Sequence, residues 1–291
     1  MHLVIFAGLK YRHSYHAGNA GDVLKHIVLV AILRRLTAKP GALFFLDTHA
    51  ARGVYDLGDD TRRSGESAAG ILQLAATPDP PECVADYLQL VRTHAGSDDR
   101  AQLPRSYPGS GRLAQLILRP QDRAVLCELE RAEAAALRKV IGADRRFRIV
   151  YGDGYAAVRA HVPPPERRGL VLIDPPYESQ EGEFPLIERA LSEGHERWAT
   201  GVFAIWYPIK RRAPVDGFHA RLQASGVRRI LCAELSLYPE DSRVGMNGSG
   251  MIIVNPPFPL ERTLHEALPA LHAALGGRAG SGYTCSWLVP E

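Results

Sequence analysis

Between residues 124 and 235, short apolar runs alternate with amphipathic segments. The runs fall at 124–128, 148–151, 170–173, 201–207 and 227–235, and helical patterns at 131–141, 155–161, 184–191 and 214–224. No other feature restricts the fold as much. Strands separated by a helix's length of chain do not pair as hairpins; they form parallel βαβ units wound on both faces of one sheet. Ahead of this stretch stands a helical pattern at 19–36, which Asn19 or Asp22 can cap and Lys39-Pro40-Gly41 stops. A continuous apolar run at 42–46 then reads as a strand buried on both faces. Helices are expected at 64–76 and 81–95, and with the turn-rich 96–108 they make an inserted helical subdomain over 59–106. Residues 230–237 and 251–254, separated by one polar loop, predict a late antiparallel hairpin, followed by a helix over 260–275. The expected fold is α/β: a single domain over 1–291 on a mostly parallel, doubly wound sheet with that hairpin at one end.

With 291 residues, 46% of them hydrophobic, the chain can bury a full core without disulfides or metal. Cys83, Cys127, Cys232 and Cys285 are scattered with no Cys-x-x-Cys spacing, which predicts a reduced, cytosolic protein. The apolar run at 3–7 is too short for an export signal, and 23–36 is interrupted by Lys25, His26, Arg34 and Arg35, so no membrane association is expected. A net charge of +3 permits an anionic partner without requiring one. Each basic cluster, such as Arg145/Arg146/Arg148 or Lys210/Arg211/Arg212, taken singly reads more simply as a solvated face. Histidines gather near the start, at His13, His16 and His26, but no carboxylate or thiol stands at ligand spacing, so no metal site is expected.

The chemistry-bearing segment is Val171-Leu172-Ile173-Asp174-Pro175-Pro176-Tyr177, an apolar strand ending in an acid, two prolines and an aromatic. Its last four residues resemble the [DNS]-P-P-[YFW] signature of amino methyltransferases. An exocyclic amine on a purine is a poor nucleophile because its lone pair is delocalised into the ring. Hydrogen bonds from the amine to the Asp174 carboxylate and the Pro175 carbonyl favour a pyramidal nitrogen, and the prolines hold those acceptors rigidly. Tyr177 is then expected to stack on an extruded base. The bland alternative is a strand stop with Asp174 as a turn residue.

What precedes the segment tips the balance. Asp47 to Gly53 follows the first strand, Glu128 closes the second and Gly152-Asp153-Gly154 the third, all at strand ends where doubly wound folds bind ligands. Glu128 can take both hydroxyls of a ribose and Asp153 an adenine amine. A second tetrapeptide, Asn255-Pro256-Pro257-Phe258, also fits the signature. It lies about 100 residues past Gly152-Asp153-Gly154 and beyond the hairpin, so it is read as a structural turn.

Residues 11–19 (YRHSYHAGN), 22–26 (DVLKH), 46–50 (LDTHA), 107–110 (YPGS), 169–177 (GLVLIDPPY), 206–208 (WYP) and 249–251 (SGM) together resemble, in order, the bacterial 23S ribosomal RNA adenine-N6 methyltransferases of the RlmJ type. The resemblance runs from about Tyr11 to the C-terminus. It implies a Rossmann-like class I methyltransferase sheet, S-adenosyl-L-methionine as cofactor and 23S ribosomal RNA as partner; a cytoplasmic monomer is expected. By motif it gives Asp174, with Pro175 and Tyr177, as the catalytic segment. The same matching gives His26, His49, Ser110, Glu128, Asp153 and Gly154 as cofactor contacts, and Tyr11 as a substrate contact in an N-terminal closing segment. One departure stands out: the family usually has Gly after His-Ala in the first loop, whereas Ala51-Arg52 precede Gly53 here. Two other readings compete, a non-catalytic DNA- or RNA-binding protein on a methyltransferase scaffold and a protein-amide methyltransferase. The second commonly carries Asn where this chain has Asp174.

Overall fold

A computed structural model describes residues 17–57, 67–96 and 104–291. Tyr11, His13 and His16 lie outside the described residues. Helix α1 (Ala20–Thr37) starts at Asn19, whose side chain accepts the amide hydrogen of Asp22 at 2.9 Å. Every residue from Gly21 to Val30 is buried. The helix is apolar nearly all round because neighbours surround it. At its other end, Arg168 and Arg119 donate to the carbonyls of Leu36 and Thr37, which the helix itself leaves unpaired, and to those of Lys39 and Gly41 just beyond it.

The strands, in chain order, are β1 (Phe44–Asp47), β2 (Val54–Asp56), β3 (Ser106–Pro108), β4 (Arg123–Glu128), β5 (Phe147–Tyr151), β6 (Gly169–Ile173), β7 (Val202–Ile209), β8 (Ile230–Ser236), β9 (Gly248–Val254) and β10 (Gly282–Val289). Eight form the central sheet, ordered β10-β8-β9-β7-β6-β1-β4-β5. The pairs from β5 across to β7 are parallel, and β9 runs antiparallel to both β7 and β8. This is the class I methyltransferase order with one further strand, β10, antiparallel on the outer side of β8. The sequence reading missed β10, whose inner residues are only partly buried and show no continuous apolar run. It also missed the short β2–β3 ribbon, whose strands are three residues each.

Alternation along the strands sorts side chains into two layers. Phe45, Ala124, Leu126, Leu170, Leu172 and Ala204 face a core shared with α1, while Phe44, Leu46, Val125, Val171, Ile173, Phe203 and Ile205 face the other layer. That second layer carries the helices Gly154–His161, Gln180–Arg197 and Arg212–Ala224. Of the two helices expected between β2 and β3, Glu82–Ala95 is regular. Of the helix expected over 64–76, residues 64–66 lie outside the described residues, and the rest is a π turn, Ala68–Leu72, kinked at Gly70 and running into Gln73–Ala75. Close contact explains the kink: a Cβ at Gly70 would sit 2.0 Å from the Gly18 carbonyl oxygen. Ile71, Leu74, Val84 and Tyr87 belong to the core around α1, so these residues share their packing with the sheet.

Candidate active site

Asp174 follows β6 directly, beside the point where the strand order reverses between β1 and β6. In such sheets the crevice at the carboxyl ends of the strands is where ligands sit. One oxygen of Asp174, Oδ2, accepts from Lys25 Nζ at 2.5 Å, and the same ammonium donates to Asp22 Oδ1 at 2.7 Å. Asp22 in turn accepts the amide hydrogen of Gly18 at 2.9 Å. Burial alone would push the Lys25 pKa down, but the two carboxylates outweigh it and hold the ammonium well above its ordinary range. The first turns of α1 thereby fix the Asp174 carboxylate in one orientation.

Beside it lies Asp47, the last residue of β1 and fully buried. Its Oδ2 accepts from the Ser110 hydroxyl at 2.5 Å and its Oδ1 from the His49 amide at 3.2 Å. Burial dominates these bonds and pushes the carboxyl up to about 6. His49 is driven the other way, to about 4, again by burial, so its imidazole is neutral at pH 7. Its ring stands edge-on to Tyr155 at 5.1 Å, and Nδ1 lies 2.8 Å from the Thr48 hydroxyl. His26 is buried in α1 with Nδ1 2.6 Å from the Tyr107 hydroxyl, which lies 2.9 Å from that of Tyr87.

Glu128 ends β4 and accepts the Glu130 amide at 2.6 Å; burial raises its pKa. Asp153 caps the helix Gly154–His161 by accepting the Tyr155 amide at 2.8 Å and is otherwise exposed. Gly154 serves a close approach within the protein. A Cβ there would fall 1.9 Å from the Thr48 carbonyl oxygen, so the loops after β1 and β5 touch only because this residue is glycine. Asp47, His49, Ser110, Glu128, Asp153, Gly154 and Asp174 thus share one edge of the sheet, and His26 lies one turn of α1 from Asp22.

The ring of Tyr177, 4% exposed, is wedged edge-on between Phe184 and Trp206, with its hydroxyl donating to the Trp206 carbonyl at 2.5 Å. Its φ of +48° is costly for a residue other than glycine, and such strain gathers where structure fixes a functional geometry. Asn255 has a similar φ of +52° but a different setting. It follows β9, which runs against β7, so it lies at the amino end of the parallel strands. There its side-chain amide donates to the carbonyls of Ala199 and Gly201 at 2.8 and 2.9 Å. The two tetrapeptides are at opposite edges.

A family model described as "Ribosomal RNA large subunit methyltransferase D, RlmJ" matches residues 40–289. The chain belongs to this family. It is 41% identical over 285 residues to Ribosomal RNA large subunit methyltransferase J of Escherichia coli, covering 97% of this chain and all of that protein. The protein of the same name from Haemophilus influenzae is also 41% identical, over 286 residues with the same coverage. Among solved structures, protein LPL1258 from Legionella pneumophila is 33% identical, with a TM-score of 0.85 over 94% of this chain and 98% of that one.

Two residues of this family member escaped the sequence reading as site residues. Lys25 reads as an interruption of an apolar run, yet a lysine in the buried stretch of α1, three residues after Asp22, is itself the signal of a buried ion pair. Asp47 reads as the end of a strand; only the fold brings the Ser110 hydroxyl onto it.

Proposed function

We propose that the chain transfers a methyl group from S-adenosyl-L-methionine to the N6 amine of an adenine in 23S ribosomal RNA, and that it does so as a cytoplasmic monomer. The observation that carries the reading is the Asp174-Pro175 pair at the carboxyl end of β6, with Lys25 fixing one carboxylate oxygen and leaving Oδ1 for a substrate. Membership of a methyltransferase family favours this over a non-catalytic nucleic-acid binder, and Asp174 in place of Asn argues against a protein amide as acceptor. No helix among the described residues is long and apolar enough to cross a membrane.

The donor set suits the cofactor. Glu128, partly exposed at the end of β4, offers a carboxylate to vicinal hydroxyls, and the exposed Asp153 stands beside it at the end of β5. The resemblance adds Gly154, His49, Ser110 and His26 to that set, with His49 neutral beside the carboxylates. When bound, the cofactor supplies an electrophilic methyl on a sulfonium. Asp174 Oδ1 and the Pro175 carbonyl accept the two hydrogens of the target amine and direct its lone pair toward that methyl. The surplus proton leaves the methylated nitrogen along the hydrogen bond to Asp174 Oδ1. Tyr177, fastened to Trp206 with its ring almost wholly buried, offers the base no more than its rim and holds the Asp174-Pro175 turn in place; the resemblance gives Tyr11 as a further substrate contact. The insertion over 59–106 is read as part of the same domain.

Methyl transfer to 23S RNA from a strain lacking the gene, with mass-spectrometric mapping of the product, tests the reading. One N6-methylated adenine is expected, together with binding of S-adenosylhomocysteine by calorimetry. Salt-sensitive nucleic-acid binding without cofactor binding would sink it in favour of the non-catalytic alternative.

A further inference from the structure

The loops at the amino ends of the parallel strands, on the far side of the sheet from Asp174, carry a concentrated charge. Residues 38–43, 118–123, 142–148 and 163–168 hold eight lysines and arginines against three carboxylates. That excess is larger than the net +3 of the whole chain, so the rest of the molecule is on balance acidic. Each of the three carboxylates is consumed locally: Asp122 by Arg119, Asp144 by Arg146 and Glu166 by Arg123. Arg168 is spent on the end of α1. Lys39, Arg145, Arg148 and Arg167 remain exposed, with no carboxylate partner among the described residues.

The loops are contiguous. Arg119 and Arg168 share the Gly41 carbonyl, Arg146 donates to the carbonyl of Leu118, and burial together with Arg123 and Arg148 depresses the pKa of His161. From the start of β5 to the start of β6 is three strand spacings, about 14 Å, and the length of β6 puts Asp174 roughly 17 Å away. Two structural explanations compete. Cations complement the negative ends of the helices that finish at this edge, and an arginine on the edge strand β5 discourages pairing with other chains. Neither requires four unpaired cations on contiguous loops, and Lys39, Arg145 and Arg167 lie outside the strands.

We propose that this amino-end surface, centred on Lys39, Arg145, Arg148 and Arg167, is a second RNA-binding surface that grips phosphates of rRNA flanking the target adenine. The inference rests on the methyltransferase reading and extends it. A backbone-reading surface remote from the reacting base adds affinity for long RNA without touching the chemical step.

The test combines Lys39→Glu, Arg145→Glu, Arg148→Glu and Arg167→Glu in one full-length chain, with 23S RNA and nested fragments down to the shortest still methylated. The expected result is a KM for full-length RNA raised about 10-fold or more at low salt, with kcat within two-fold, and a KM for the shortest fragment unchanged. Direct RNA binding by the variant should show a salt dependence shallower by about three in the log–log slope, near 0.7–0.9 for each phosphate no longer held. Equal KM changes on long and short RNA, or none on either, would overturn the proposal, as would retained RNA affinity alongside lost binding to phosphatidylglycerol vesicles. Unchanged S-adenosylhomocysteine binding and thermal unfolding certify the fold; if the variant is unstable, the four Gln substitutions should give the same pattern with a smaller KM rise. Were wild-type chain to methylate nothing, the activity reading would fail, while filter binding of long RNA by wild type and variant would still decide this surface.

Discussion

The two edges of the sheet handle charge in opposite ways. At the carboxyl edge, charge is buried: Lys25 sits between two carboxylates, and Asp47 is held at about 6 by burial. At the amino edge, partly exposed arginines meet acids of which only Asp122 is buried, and Asp144 is pulled down to about 2, chiefly by its hydrogen bond from Arg146. The two Pro-Pro tetrapeptides sharpen the contrast, because nearly the same four letters end one strand that points toward the crevice and another that points away from it. Direction of the strand, more than the motif, decides which can meet a ligand. Burying charge at one edge creates groups whose removal is felt in chemistry and stability together; pairing it near solvent creates groups that hold loops in place.

Replacing Asp174 with Ala should show the difference at its largest. Methyl transfer is expected to fall about 10³-fold or more, since the amine loses its fixed acceptor in a preorganised site, while S-adenosylhomocysteine still binds. Normal turnover would remove Asp174 from the mechanism. Lys25→Met comes next, leaving two buried carboxylates uncompensated at a cost of about 3–4 kcal/mol, readable in urea unfolding. The sign of its pH dependence is fixed: the folded pKa of Lys25 is raised, so its contribution is complete at neutral pH, below the unfolded value of 10.5, and is lost only as pH climbs through the higher folded value. A wild-type chain losing this contribution near pH 8 would contradict the pairing.

Asp47 behaves differently. Its folded pKa, near 6, lies above the unfolded 3.8, so its contribution is favourable below pH 3.8 and lost as pH rises through 6. By linkage the swing is up to about 3 kcal/mol. Denaturant titrations of Asp47→Asn should therefore show a flatter profile between pH 4 and 6.5 than wild type. Parallel profiles would mean the carboxyl is better solvated than its buried setting implies. At the other edge, Asn255→Ala should cost about 1–2 kcal/mol, from two lost hydrogen bonds and an unfavourable φ, with kcat unchanged. A loss of activity comparable to that of Asp174→Ala would collapse the contrast between the tetrapeptides.

Much of this architecture was legible in the sequence because the fold depends on periodicity. The parallel strands, α1 and the late hairpin all carry apolar patterns that local sequence alone reveals. The β10 strand and the kink at Gly70 were not legible, since one lies on a half-exposed edge and the other arises from contact with Gly18, distant in sequence. Within the site, order along the chain placed Glu128, Asp153 and Asp174 at strand ends, which is why the decoy Asn255 could be set aside. Partnerships were another matter. That Ser110 donates to Asp47, that Lys25 joins α1 to Asp174, and that Gly154 yields space to Thr48 are facts of tertiary approach, which no spacing encodes.

The smallest effect concerns the loop after β1, where the chain has Ala51-Arg52 in place of the glycine expected after His49-Ala50. Ala51 holds φ at +48° there, a conformation glycine adopts freely and alanine only at about 1 kcal/mol. The departure is therefore a strain in the carboxyl-edge loop, one residue past Ala50, whose amide donates to the Cys127 carbonyl and ties this loop to β4 beside Glu128. Ala51→Gly should relieve it. Because glycine also loosens the unfolded chain, the net gain in stability is expected to be a few tenths of that figure. Cofactor affinity is the sharper readout: with the methyl gone, binding of S-adenosylhomocysteine should tighten about two- to five-fold with no change in kcat. A weaker-binding variant would mean that the alanine holds the loop in its binding shape, and that the left-handed turn is maintained by its neighbours regardless of which residue occupies it.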